Sequence, residues 1–247
     1  MKNLVLNEFN KIKHTTMIKV VFGLFLIMAL LEGIYPLEGK DVFDYAFGAH
    51  FLFLRNNGTL VLFWFSPIAV SMITQEFSQG TAHNILSCGI SRKKYYMVKA
   101  FSLMVTAAII YLVTIAVYTL TMSILYGFNP RSHTYPNYVL VIFVYHIYML
   151  IVIFAEMALF MCIGYLFNRP AIAYWVCLGT VNIERFLFPL NDYGMGLSLQ
   201  TLITMENYIR TRTVLTIDFM ILLVTIFLEL SLCLALACFI FQKKDIN

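Results

Sequence analysis

The stretch from Lys99 to Arg131 carries no charged side chain between its ends, and neither does the stretch from Arg55 to Glu76. Each reaches the roughly 20 apolar residues that a helix needs to cross a bilayer. A soluble core requires no such runs. The rest of the chain agrees, since only 12% of its 247 residues are charged and 61% are hydrophobic, where a soluble domain carries about 25% charged residues. The expected fold class is therefore an all-α integral membrane protein.

Apolar periodicity and length place six transmembrane helices at about 17–35, 58–75, 98–127, 138–167, 171–190 and 214–241. The fourth and fifth meet at Asn168-Arg169-Pro170, where proline cannot continue one helix and suits the first turn of the next. Met17 to Tyr35 is long for the apolar core of a secretory signal, and no small-residue cleavage site follows, so it is expected to stay as the first span. Ahead of it, residues 1–14 read as an N-terminal interfacial helix. Leu4, Val5, Phe9 and Ile12 lie toward one side and Asn3, Asn7, Asn10 and Lys11 toward the other, with Glu8 intruding on the apolar half.

Lys and Arg are retained on the cytoplasmic side of a membrane protein. With the N-terminus inside, eleven of the 17 basic residues are cytoplasmic, among them Lys2, Lys11, Lys13, Arg92, Lys93, Lys94, Lys99, Arg169, Lys243 and Lys244. Both termini are then expected in the cytoplasm. The net charge of +4 follows from topology, and no nucleic-acid partner is implied. Four of the five cysteines, Cys162, Cys177, Cys233 and Cys238, fall within apolar runs and read as small hydrophobes, and no metal-binding or redox spacing is present. The chain reads as a single transmembrane domain over 1–247, with a cytoplasmic segment at 76–95 and an external segment at 191–213 before the last span.

The cytoplasmic connection between the second and third spans is the most informative stretch. Gly80-Thr81 is suited to open a short helix with threonine as its cap, Ile85 and Leu86 give that helix an apolar contact, and Gly89 is suited to close it. Arg92, Lys93 and Lys94 then return the chain to the bilayer. A short helix held under a membrane bundle is what receives a push from a soluble partner.

The pattern of Glu76, Gly80-Thr81, Ile85-Leu86-Ser87, Gly89-Ile90-Ser91-Arg92, Tyr95 and Lys99 resembles the coupling region of type-2 ABC exporter permeases, and is most similar to the permeases of bacitracin resistance and lantibiotic immunity. The resemblance implies a short cytoplasmic coupling helix whose candidate ATPase-coupling residues are Glu76, Gly80, Thr81, Ile85, Leu86, Gly89, Ser91 and Arg92. It further implies a dimer with a second permease, identical or a sister chain, and an ABC ATPase partner that binds ATP and magnesium. The chain itself is expected to bind no cofactor and to be no enzyme. A phosphate-cradling loop needs G-x-x-x-x-G-K-[ST], and Gly39-Lys40 is followed by Asp41. The cargo that the resemblance implies is an amphiphile such as an antimicrobial or toxin-like peptide.

Two other classes compete. A membrane-embedded hydrolase could draw on His50, His146, Glu156 and Ser198, but no hydrolase motif joins them. An ATPase-independent channel or secondary carrier would favour matching Gly/Pro-broken helices in the two halves, and no such symmetry is visible. Glu156 and Glu229 fall inside apolar spans, where a charge is costly unless paired or wet. They read either as interhelical hydrogen-bonding groups or as polar points on a substrate path.

Overall fold

A computed structural model describes residues 2–34, 65–126, 138–167, 169–187 and 217–244. The outer segments expected at 36–57 and 191–213, and the first part of the second span, lie outside these residues. All regular structure among the described residues is helical. The elements are α1 (Lys2–His14), α2 (Thr16–Ile34), α3 (residues 65–78), α4 (Thr81–Ser87), α5 (Arg92–Tyr126), α6 (Tyr138–Leu166), α7 (Pro170–Leu187) and α8 (Ile217–Lys243).

Three described segments are long and apolar enough to cross a membrane, Arg92–Leu125, His146–Leu166 and Leu223–Lys243, and a fourth arises if the bent pair Asn3–His14 and Thr16–Leu31 acts as one span. Residues Pro170–Thr180 form a shorter apolar helix. At its 35 residues, α5 extends about 50 Å at 1.5 Å per residue, well beyond a hydrocarbon core of about 30 Å. Its first turn, Arg92-Lys93-Lys94-Tyr95, is therefore long enough to stand outside the apolar zone. The hydroxyls of Ser102, Thr106, Thr114, Thr119 and Thr121 bond back to carbonyls three or four residues earlier, which satisfies polar side chains in a setting without water.

The break between α1 and α2 turns the chain by 65°. Thr15 stands at the break, and both its amide and its hydroxyl donate to the Lys11 carbonyl, at 3.0 and 2.8 Å. Pro170 opens α7 as its fixed φ and missing N–H allow.

The core runs along the bundle where α6 packs most extensively against α8 and α2 against α5. Val152, Met157, Phe160 and Met161 of α6 are fully buried, with Ala237 and Phe241 of α8 and Leu103 and Ala107 of α5 beside them in the same cluster. Cys162, Cys177 and Cys233 are buried, Cys238 is half-buried and Cys88 is exposed, and none of the five is in a disulfide.

Candidate functional site

The end of the bundle that carries α1, α4, the start of α5 and the end of α8 is tied together by aromatic rings and charge. Phe241 stacks on Tyr95 at 5.5 Å between ring centroids and lies 5.0 Å from Tyr165 and 6.1 Å from Phe77. Phe77 also meets Tyr165 edge-on at 6.0 Å. Rings from α3, α5, α6 and α8 thus converge, in the stacked, tilted and edge-on arrangements that aromatic pairs favour.

Around this cluster sits a ring of alternating charge. Lys11 Nζ lies 2.9 Å from Glu8 Oε1 and 2.7 Å from Glu76 Oε1. Lys99 Nζ lies 2.5 Å from Glu8 Oε2 and 2.8 Å from Glu76 Oε1. Each lysine touches both glutamates, so the ring is closed and neutral, and Tyr95 donates its hydroxyl to the other oxygen of Glu76. Glu8, Glu76 and Lys99 are buried, and Lys11 faces solvent on one side. Burial alone would raise the Glu76 pKa, yet Lys99, Lys11 and Tyr95 outweigh it and hold the carboxyl below its ordinary value. Burial likewise works against the Lys11 ammonium, and Glu76 and Glu8 overcome it, so that its pKa is raised.

From this anchor the chain leaves the bundle through Gly80, whose φ of +67° is left-handed, a conformation that costs nothing without a Cβ. Gly80 occupies the N-cap position of α4, and no side chain caps that helix. The expectation that Thr81 would be the cap is corrected accordingly: Thr81 is the first helical residue, and its hydroxyl donates back to the Glu76 carbonyl at 3.2 Å. That bond serves the end of α3, because a helix end leaves its last carbonyls unpaired. At the far end Gly89, at φ +84°, bonds its amide to Leu86 O at 3.1 Å and turns the chain toward Ser91 and Arg92.

The expected coupling residues and their neighbours in the segment separate into two groups. Glu76 and Ala82 are buried, and Ile85, Leu86 and Ile90 are half-buried against the bundle's own core. They fix α4 in place. Between Glu76 and Arg92 the exposed surface is made by Ser78, Gln79, Gly80, His83, Asn84, Ser87, Cys88, Gly89 and Ser91. Arg92 points elsewhere, its guanidinium donating to the carbonyls of Gln242 and Lys244 at 2.8 Å each. Lys244 in turn donates to Tyr165 O at 2.7 Å and lies 4.3 Å from the centre of the Phe77 ring. The end of α8 is thereby clamped to α5, α6 and α3 together.

Sequence reasoning left Glu8 and Lys11 out of the site and used Tyr95 and Lys99 only as part of a resemblance. Charge complementarity was the available signal: a glutamate in the apolar half of α1 and a lysine at the edge of an apolar span each require a partner. Glu156, on α6, is fully buried, and Glu229 lies half-buried on α8, the helix most extensively packed against α6. Glu156 acts electrostatically on Glu229 and on the Cys177 thiol of α7, which groups these residues within the bundle.

A family model described as "ABC-2 family transporter protein" matches residues 4–181, a span that holds α1 to α6, most of α7, the charged ring and α4. No curated protein matches the chain.

Proposed function

The chain belongs to the ABC-2 family of transporter proteins, a membrane component of an ABC transporter, and from that premise we propose that it is an exporter permease driven through α4 by an ABC ATPase. The observation that carries this reading is the build of α4: a short helix set between two left-handed glycines, anchored by Ala82, Ile85 and Leu86 and offering His83, Asn84 and Ser87 outward. A polar, small-residue face on a firmly seated helix suits the cleft of a soluble partner. The partner binds ATP with magnesium, and a second permease, identical or a sister chain, completes the membrane half.

Six spans, with α1 at the membrane interface and α4 and both termini in the cytoplasm, complete the proposed architecture. The aromatic and aliphatic bundle suits an amphiphile taken from the bilayer, and by resemblance to immunity permeases the cargo is an antimicrobial or toxin-like peptide. The test is co-expression with each ABC ATPase of the source organism in turn, followed by co-purification. One ATPase should co-purify, and His83→Glu and Ser87→Glu should abolish its retention while membrane insertion persists. Retention unaffected by either substitution would defeat the assignment of α4 as the docking element.

A further inference from the structure

We infer that α1 belongs to the same moving body as α4, with Glu8 and Lys99 as positioning residues that set the pose of α4 through Glu76. This rests on the proposed role of α4 as the ATPase-receiving helix. Two links carry it. The Thr81 hydroxyl bonds the Glu76 carbonyl across Gly80, so the start of α4 is tied to the end of α3 despite the permissive glycine between them. The Glu76 carboxylate is bound in turn by Lys11 of α1 and by Lys99 and Tyr95 of α5, while Glu8 of α1 closes the ring onto Lys99.

A neutral ring resists opening at any single contact, because parting one ion pair leaves an uncompensated charge where solvent is largely excluded. A push on α4 then moves the end of α3 together with α1 and the first turns of α5. It does not bend the chain at Gly80 alone. Residues from three helices meet here across 65 and 91 positions of sequence, so the joint reaches two helices that α4 does not touch through its own side-chain hydrogen bonds. Apolar packing of α1 on α5 would hold α1 in place, but it would not link its position to that of α4.

Exposed Cys88, just past the end of α4, is a native attachment point for a spin label in the full chain, with Cys162, Cys177, Cys233 and Cys238 replaced by alanine. A second label goes on the exposed face of α1 at Asn7→Cys, with Cys88 also replaced by alanine. Glu8→Gln and Lys99→Met should each cause loss of the immobilised signal at both labels together, and Lys99→Arg should retain it. A label at Val224→Cys on α8, with all five native cysteines replaced, reports on the rest of the bundle.

If the single variants also loosen Val224→Cys, the paired Glu8→Gln with Lys99→Met, which leaves the neutral Lys11–Glu76 pair, carries the same expectation. Mobilisation at Asn7→Cys with Cys88 unchanged would overturn the inference. Failure of any ATPase to co-purify with the wild-type chain would remove the function proposed for α4 and leave the label result standing.

Discussion

Glu8 and Lys99 stand 91 positions apart and meet at 2.5 Å, a carboxylate from the N-terminal helix and an ammonium from α5 whose side chains are 4% and 2% exposed. Buried ion pairs gain little relative to a well-packed apolar replacement, but removing one member is strongly destabilising. Lys99→Met should therefore lower stability by about 3–5 kcal/mol. Adding Glu8→Gln to it should recover part of that loss, because the remaining Lys11–Glu76 pair is again neutral. Thermal unfolding in detergent of the two singles and the double decides this. Simple additivity of the two losses would mean that the side chains do not act as a ring.

The same pair shows what could be read from the sequence and what could not. Helix positions were legible because apolar runs and Pro170 mark them: α2, α6 and α7 begin and end within a few residues of the spans expected at 17–35, 138–167 and 171–190. Glu8 broke the amphipathic pattern of α1 and read as a flaw. Its meaning depends on Lys99, which no local rule connects to it. Ile85 and Leu86 are half-buried against the chain's own core, and periodicity marks an apolar face without saying whether it meets a partner or that core. Thr81 could have capped α4, but Gly80 already takes the N-cap position and the neighbouring carbonyl of Glu76 accepts its hydroxyl.

The charged ring should be insensitive to pH across the neutral range. Glu76, with its pKa lowered from 4.5, contributes fully above that value, and the contribution is lost as pH falls through its lower native value. Lys11, with its pKa raised from 10.5, contributes fully below that value and loses its contribution only as pH climbs through the higher native one. The groups facing Glu76 are Glu8 and Lys11 from α1, Tyr95 and Lys99 from α5 and Tyr165 from α6. A label at Asn7→Cys should stay immobilised between these limits and be released on acidification below 4.5. Release near neutral pH would show that some other group controls the docking of α1.

Gly80 and Gly89 hold α4 at both ends in left-handed conformations, at φ +67° and +84°, and a Cβ at either would meet no atom of the described residues within 4 Å. Substitution is therefore opposed by backbone strain and not by crowding. Gly80→Ala and Gly89→Ala should each cost about 1–2 kcal/mol, with asparagine, which tolerates this region, costing less. Local hydrogen exchange of the α4 amides should rise in the alanine variants while the amides of α6 stay protected. Equal loosening of α4 and α6 would place the glycines in the global fold and not in the seating of this one helix.

Glu156 and Glu229 offer the sharpest test of whether polarity inside the bundle serves transport. They lie on α6 and α8, the most extensively packed helices, and the Oε1 atom of Glu229 is buried without a hydrogen-bond partner among the described residues. A buried polar group left without a hydrogen-bond partner is costly, so this carboxyl would gain from any water or cargo group that reached it. Glutamine at either position keeps the hydrogen-bonding capacity and nearly the volume, whereas leucine removes the capacity and leaves an apolar helix face. Substrate-stimulated ATP hydrolysis by the assembled transporter, or protection of cells against a candidate peptide at matched expression, should survive Glu156→Gln and Glu229→Gln and fall with the leucine variants. Leucine behaving as wild type at both sites would make the carboxyls bystanders in the bundle. Glutamine as damaging as leucine would instead show that ionisation is required, and a proton-coupled step or a cationic group on the cargo would have to replace the polar-path reading.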